Sequence, residues 1–195
     1  MAFEIVVIGA SVGGLSALQL LLPELSPEFP LPVVIVQHRR KETHDGLCEY
    51  LRKRSPLPLR EPDDKEKIEP NHIYLAPSDY HLLIEESIFT LSTESPVAYA
   101  RPSIDVLFES AADVYHERMI GVVLTGASRD GARGLSRIKS LGGMAIVQDP
   151  QSAQSRIMPQ AAIDATAVDH ILPLEEIAPF LNGICHPTSR LLHAR

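Results

Sequence analysis

The chain has 195 residues, a length that suits one domain with a full hydrophobic core. Its hydrophobic content of 45% and charged content of 22% are typical of a soluble globular protein, and no apolar run is long enough to cross a bilayer. The net charge of −7 argues against general nucleic-acid binding, and we expect no membrane insertion.

The N-terminus predicts a cytoplasmic protein, because Met1 runs directly into an apolar, strand-like segment without the basic region of a signal peptide. The two cysteines, Cys48 and Cys185, lack the spacing of metal ligands and of C-x-x-C motifs. We therefore expect two reduced thiols and no metal site.

Continuous apolar runs that end in glycine or polar residues predict strands buried on both faces, and helical spacing of apolar residues separates them. In chain order the predicted elements are strand FEIVVIGA, helix GLSALQLLLPEL, strand LPVVIVQH, helix DGLCEYLRKRS, the segment HIYLAPSDYHLLIEESIFTLS, helix SIDVLFESAADVYHE, strand MIGVVLTG, helix GLSRIKSLG, strand GMAIVQDP, helix MPQAAIDAT, edge strand VDHILPL and helix LEEIAPFLNGI.

The segment HIYLAPSDYHLLIEESIFTLS differs from the rest, because its apolar runs are short and separated by turns. This pattern predicts antiparallel strands or hairpins. The fold class is therefore α/β: a doubly wound, mostly parallel sheet flanked by helices, with an antiparallel hairpin insertion. In such sheets, ligands and chemistry gather beyond the carboxyl ends of the strands.

Ser11 lies just past the first strand in GASVG, which matches the nucleophile-elbow pattern G-x-S-x-G. Small flanking residues allow a sharp turn that exposes the hydroxyl, and the helix that follows points free N–H groups at the same place. The motif is short, so a turn serine or an anion-binding loop remains an alternative at this point.

His38 ends the second strand, and Asp130 follows a third in LTGASRDGARG. A histidine there can act as a general base for Ser11, and an aspartate can orient and stabilise the imidazole. Taken singly, each has a structural alternative: a hydrogen-bonded strand-end histidine and a helix N-cap. Asp149 is a rival for the aspartate role, although the QDP sequence is typical of a turn.

The segments IGASVGG, VVIVQH, IYLAPSDYHL, RPSIDVLF, GVVLTGASRDGARGL, GGMAIVQDP and MPQAAI occur in this order. Together they resemble the catalytic domain of the CheB-type chemotaxis protein-glutamate methylesterases, from about residue 4 to about residue 181. The resemblance implies hydrolysis of γ-glutamyl methyl esters on methyl-accepting chemoreceptors, with possible deamidation of receptor glutamines. It also implies a catalytic triad of Ser11, His38 and Asp130, and no metal or organic cofactor.

Two positions depart from the family pattern. Val12 follows the serine where well-known members often have threonine, and Ala127 stands where they often have methionine. Both residues keep a backbone N–H, so we expect an oxyanion hole formed by the N–H groups of Val12 and Ala127.

The resemblance predicts a methylesterase catalytic domain over residues 1–183, with a C-terminal tail over 184–195. Well-known members carry a phosphorylatable receiver domain before the esterase, and we expect none in this chain. Regulation would then require a separate protein. The expected partners are the cytoplasmic helices of chemoreceptors.

Arg39 and Arg40 follow His38 directly, and Arg129 precedes Asp130. A basic rim at this place could attract acidic receptor helices, although a solvated loop explains it equally well. Met158 is a further candidate for the substrate groove, with a core position as the alternative.

Two other functions are compatible with parts of the sequence. A nucleotide- or phosphate-binding protein shares the strand, glycine loop and helix at the N-terminus, but the P-loop Lys-Ser/Thr pair is missing. A catalytically idle chemosensory interaction module would keep the fold without the activity.

Overall fold

The computed structural model describes residues 2–39 and 46–185. Its strands are β1 (Ile5–Ala10), β2 (Val33–Gln37), β3 (Leu59–Arg60), β4 (Ile73–Leu75), β5 (His81–Glu85), β6 (Ile88–Ser92), β7 (Met119–Val123), β8 (Met144–Gln148) and β9 (His170–Leu172). Its helices are α1 (Gly14–Leu21), α2 (Leu47–Arg52), α3 (Ile104–Tyr115), α4 (Ala132–Ser140), α5 (Ile157–Ala165) and α6 (Leu174–Cys185).

Seven of the described strands form one parallel sheet in the order β3-β4-β2-β1-β7-β8-β9. The central strand β1 is buried along its whole length, because the sheet is covered on both faces. Alternate β1 residues enter two separate cores. Val6 and Ile8 pack with α1, α2 and α6, whereas Ile5 and Val7 pack with α3, α4 and α5.

This architecture confirms the predicted fold class. The antiparallel insertion is confined to β5 and β6, which pair with each other and pack against α3. The edge position of β9 is also as predicted.

The expectation that HIYLAP belongs to an antiparallel hairpin was wrong. Its residues Ile73–Leu75 form β4, which pairs in parallel with β2 and is buried throughout. The sequence reading also missed β3, a two-residue strand at the edge of the sheet beside β4. Three apolar residues carry no periodicity that separates a core strand from a hairpin strand, so the burial of β4 between β2 and β3 decides its direction.

The two cysteines are free thiols, as predicted. Burial raises the pKa of the Cys185 thiol to about 12 and also raises that of Cys48. Among the helices of residues 2–39 and 46–185, none is both long and apolar enough to cross a membrane.

The contact between α3 and α4 leaves no room for a side chain at Gly134. A Cβ placed there would lie 2.5 Å from the Cβ of Phe108 and 3.2 Å from the Cα of Asp105. We expect Gly134→Ala to lower the free energy of unfolding by about 1–3 kcal/mol, because the two helices must move apart. Urea denaturation measures this loss.

Gly183, in α6, provides the matched control, because a Cβ there would have no neighbour within 4 Å among residues 2–39 and 46–185. Gly183→Ala should leave stability unchanged or raise it by up to about 1 kcal/mol, since alanine favours helix more than glycine does. Equal effects of the two substitutions would contradict the close helix packing.

Candidate active site

Ser11 is the first residue after β1, and hydrogen bonds on both sides hold its backbone. Its N–H donates to the carbonyl of Thr125 beyond β7, at 3.0 Å. On the other side of β1, the His38 N–H donates to the Ala10 carbonyl at 2.9 Å. The pairing of the parallel strands therefore continues past their ends and brings the Ser11, His38 and Thr125 segments side by side.

The turn after Ser11 requires glycine at two places. Gly13 has φ of 81°, a left-handed conformation that glycine adopts without strain. A Cβ at Gly14 would lie 1.9 Å from the Oε1 of Gln37, so the side-chain amide of Gln37 occupies that space. The two glycines let the chain turn directly into α1, while Ser11 stays half-buried at the carboxyl end of the central strand β1.

The side-chain amide of Gln37 joins the serine segment to the histidine segment. Its Nε2 donates to the carbonyl of Ser11 and to the carbonyl of His38, each at 2.9 Å. Thr125 adds a further link, because its Oγ1 donates to the Val12 carbonyl at 2.9 Å. Gln37 and Thr125 are buried, so these bonds form in a setting where water competes little for them.

His38 and Asp130 contact each other directly. The Nε2 of His38 lies 2.7 Å from the Oδ2 of Asp130, and the carboxylate is fully buried while the imidazole is 15% exposed. The sequence placed these residues at the carboxyl ends of different strands, and the structure brings them into hydrogen-bonding contact.

The Asp130 carboxylate lies at the N-terminus of α3. Its Oδ2 accepts the N–H of Ile104 at 2.7 Å, and its Oδ1 accepts the N–H of Asp105 and the hydroxyl of Ser103, each at 2.9 Å. These are groups at the helix start that have no partner within the helix, and their partial positive charge favours an anion. The alternative role for Asp130, an N-cap for the helix that follows it, was wrong, because the N-cap residue of α4 is Gly131, which has no capping side chain. Asp130 instead accepts N–H groups at the start of α3, whose N-cap residue is Ser103.

Asp105, in the first turn of α3, accepts N–H groups at the start of α4. Its Oδ1 accepts the N–H of Gly131 at 2.9 Å and that of Gly134 at 2.7 Å. The two aspartates therefore bind the starts of each other's helices. Sequence reasoning missed Asp105 as a site residue, because an acidic residue in a first helical turn is ordinary and the chain separation hides the exchange.

The pKa values of the Asp130 and Asp105 carboxyls are shifted in opposite directions. Burial alone would raise the pKa of Asp130, but the hydrogen bonds from His38 and from the Asp105 and Ile104 backbone outweigh it and hold the pKa below 3.8. Burial and the charge of Asp130 raise the pKa of Asp105, although Gly131 and Gly134 oppose this. Asp130 is thus an ionised acceptor for His38 at neutral pH.

Val12 and Ala127 lie in exposed turns near Ser11, on either side of the Thr125 link. Within the described residues, neither the Val12 nor the Ala127 N–H donates a hydrogen bond. Both groups are thus available to a ligand oxygen.

Met158 is buried at the back of this region. A Cβ at Gly126 would lie 2.6 Å from the Cε of Met158 and 2.9 Å from the Cβ of Ser11, so the three residues pack together. Met158 thus belongs to the core, the alternative that the sequence left open, and it also adjoins Ser11.

The proposed basic rim is only partly described. Arg40 lies outside the described residues. The guanidinium of Arg39 is paired with the Glu61 carboxylate and donates to the Ala76 carbonyl at 2.7 Å, and its side chain is 7% exposed. Arg129 is exposed beside Asp130. Asp149, the rival aspartate, accepts the Gln151 N–H in a turn after β8.

A cavity of about 560 Å³ opens beside His38. It is lined by His38, Arg39, Asp79, Pro96, Tyr99, Ala100, Arg101 and Pro102. Across residues 2–39 and 46–185, no group of three or more His, Cys, Asp or Glu side chains is arranged to hold a metal ion.

Comparisons with known proteins agree with one another. A family model described as CheB methylesterase matches residues 6–181. A solved structure of the Thermotoga maritima CheB methylesterase catalytic domain superposes with a TM-score of 0.89 at 33% identity, covering 93% of this chain and 98% of that one.

Two curated relatives are similar over nearly the whole chain. A Leptospira interrogans protein, provisionally named protein-glutamate methylesterase/protein-glutamine glutaminase, is 47% identical over 91% of this chain and 93% of its own length. An Anaeromyxobacter dehalogenans protein-glutamate methylesterase/protein-glutamine glutaminase is 42% identical over 89% of this chain, but over only 51% of its own length. The chain thus spans about half of the second relative.

Removal of the Asp105 carboxylate should loosen the start of α4. We expect Asp105→Ala to lower the free energy of unfolding by about 1–3 kcal/mol, because the buried Gly131 and Gly134 N–H groups lose their acceptor. Asp105→Asn keeps an acceptor oxygen and should cost less. Urea denaturation of both variants measures the difference.

Asp113, also on α3, is the control for this comparison. It pairs with Arg137 at 2.8 Å, but both side chains are about half exposed. Asp113→Ala should therefore cost no more than about 1 kcal/mol. A loss in Asp105→Ala as small as that in Asp113→Ala would contradict the capping role.

The lowered pKa of Asp130 predicts a dependence of stability on acid. An acid whose pKa is lower in the folded than in the unfolded chain stabilises the fold above its ordinary pKa, and this contribution is lost as pH falls through the folded value. Below pH 3.8, the free energy of unfolding should therefore fall more steeply for the native chain than for Asp130→Asn.

Urea denaturation at a series of pH values from 5 to about 2 provides the measurement. Asp164→Asn, which changes an exposed aspartate of α5, controls for the general loss of a carboxylate. Parallel curves for the native chain and Asp130→Asn would contradict the predicted contribution.

Proposed function

The chain belongs to the CheB methylesterase family, and on this premise we propose that it hydrolyses methyl esters of glutamate side chains on methyl-accepting chemoreceptors. The observation that carries the proposal is the part-buried His38–Asp130 hydrogen bond of 2.7 Å. His38 directly follows β2, which pairs with β1, and Ser11 directly follows β1. This arrangement supports a site in which Ser11, His38 and Asp130 lie beyond the carboxyl ends of the neighbouring strands β1, β2 and β7.

In this proposal Ser11 is the nucleophile and His38 is the general base. Asp130 is ionised at neutral pH, so the Nε2 of His38 must carry the proton of their hydrogen bond. The Nδ1 of the imidazole then has the free electron pair that accepts the Ser11 proton. Asp130 fixes this tautomer and stabilises the imidazolium that forms.

The reaction proceeds in two acyl transfers. The Ser11 oxygen attacks the ester carbonyl, and the proton that His38 takes from Ser11 is then given to the departing methanol. Water attacks the acyl-enzyme carbonyl while His38 accepts its proton. His38 then gives this proton to the Ser11 oxygen as the acyl bond breaks, which releases the glutamate side chain and restores Ser11.

The N–H groups of Val12 and Ala127 are the proposed donors to the oxyanion. Their lack of other acceptors within the described residues supports this role, because an oxyanion hole needs donors that are free before the substrate binds. A valine or an alanine offers no hydroxyl, so the stabilisation would come from the backbone.

Deamidation is a second activity that the same site would support. The relatives named above carry both activities in their names, methylesterase and glutaminase. An acyl-enzyme forms equally from a glutamine side chain, with ammonia in place of methanol as the leaving group. Whether the natural substrate is an ester or an amide depends on which side chain the receptor presents.

The proposed partner is the cytoplasmic helical segment of a chemoreceptor, and the proposed location is therefore the cytoplasm. Arg129 is the candidate of the basic rim that the structure leaves exposed beside the site. Arg39 remains a candidate only as part of the cavity wall, because its charge is paired with Glu61.

The test of the proposal is the release of methanol from a methylated receptor fragment. Ser11→Ala should abolish this release without changing the thermal unfolding temperature, because the side chain is small and half-buried. Ser16→Ala, which changes an exposed serine of α1, is the matched control and should keep full activity.

Two further results would decide against the proposal. Full activity of Ser11→Ala would remove Ser11 as the nucleophile. A folded native chain that neither releases methanol nor reacts with a fluorophosphonate probe would favour an interaction module without catalysis. Binding of a nucleotide in isothermal titration calorimetry would instead favour the phosphate-binding alternative.

A further inference from the structure

Tyr99 is fully exposed, with a relative accessibility of 104%, although it lines the cavity beside His38. A tyrosine in solvent usually lies flat on the surface and covers apolar neighbours with its ring. This ring projects from the protein at the rim of the cavity instead.

The backbone that carries Tyr99 is in an unfavourable conformation. Val97 and Ala100 exchange two hydrogen bonds, of 3.1 and 2.9 Å, so Ala98 and Tyr99 are the central residues of a tight two-residue turn. Their φ angles are 49° and 64°. A turn with positive φ at both positions strongly favours asparagine, aspartate and glycine, and a bulky aromatic residue there is an outlier.

Hydrogen bonds from Arg101 and His81 hold the strained turn in place. The guanidinium of Arg101 donates to the carbonyls of Thr93 and Glu94, at 2.7 and 2.9 Å, and to the carboxylate of Asp79, at 3.0 Å. The imidazole of His81 lies 3.2 Å from the Ser95 carbonyl. These bonds fix both arms of the loop and therefore fix where its tip stands.

The loop also continues directly into the catalytic region. Pro102 lines the cavity, and the next residue, Ser103, donates its hydroxyl to Asp130. The position of the Tyr99 backbone relative to His38 is therefore set by a short stretch of chain with several hydrogen bonds.

We propose that Tyr99 is a substrate-binding residue whose ring packs against the polypeptide that flanks the glutamyl methyl ester. This inference rests on the proposed function. The cavity of about 560 Å³ reaches from His38 to Tyr99 and is larger than a slender glutamyl methyl ester side chain, so it has room for the substrate side chains that flank the ester. A tyrosine offers such a partner an apolar face and a hydroxyl together.

Two substitutions separate the ring from the strain of the turn. Tyr99→Asn removes the ring and introduces a residue that tolerates positive φ. Ala98→Gly relaxes the same turn but keeps the ring, and is therefore the matched control.

The experiment measures methanol release from a methylated cytoplasmic receptor fragment, the rate of Ser11 labelling by a small fluorophosphonate, and thermal unfolding. For Tyr99→Asn we expect KM for the receptor fragment to rise about tenfold, the typical loss on removing an aromatic contact at an interface. Its labelling rate and kcat should be unchanged, and its thermal unfolding temperature equal or higher. Ala98→Gly should keep KM within about twofold, because it keeps the ring.

An unchanged KM in Tyr99→Asn would overturn the inference. A fall in its labelling rate would also overturn it, because the residue would then act on the catalytic groups rather than on the flanking polypeptide. If the native chain labels with the probe but releases no methanol from the receptor, the proposed function fails and the inference fails with it.

Discussion

The buried carboxylates of Asp105 and Asp130 link the starts of helices α3 and α4, because each one accepts N–H groups from the segment that carries the other. Asp105 lies in α3 and binds the first turn of α4, whereas Asp130 precedes α4 and binds the first turn of α3. The exchange locks both helices to the same face of the sheet and holds Asp130 in place against His38. Burial alone would raise the pKa of Asp130, but the hydrogen bonds from His38 and from the N–H groups of Asp105 and Ile104 together lower it and keep the carboxyl ionised.

The parallel sheet determines where the Ser11 and His38 segments lie, and the sequence predicts this sheet. Continuous apolar runs identified the central strands, and glycine and polar residues marked where each one ends. Because the carboxyl ends of parallel strands lie on the same side of a sheet, the sequence alone predicts that Ser11, His38 and Asp130 lie close together. The structure brings His38 and Asp130 into contact, and Ser11 lies directly after β1, the strand next to β2.

Other features depend on tertiary contacts that no local pattern encodes. Ile73–Leu75 became a core strand because β2 and β3 lie beside it, not because of its own three residues. The capping role of Asp105 requires two segments more than twenty residues apart to meet. Likewise, the sequence VAYA carries none of the glycine or asparagine that announces a tight turn with positive φ, so the Tyr99 loop could not be read from it.

The amide of Gln37 has a consequence for how this site can change over time. It joins the Ser11 and His38 carbonyls from within the sheet, so the spacing of these two segments is set by β1, β2 and their immediate continuations. The loop that carries Tyr99 lies on a different part of the chain, between β6 and α3. Under the proposed role of Tyr99, substitutions at the tip of that loop, away from Ser103, would alter which polypeptide is recognised while the Ser11 and His38 segments keep their spacing. Under the proposed function, a lineage with this arrangement could therefore adapt to a new substrate polypeptide through substitutions at the tip of one loop.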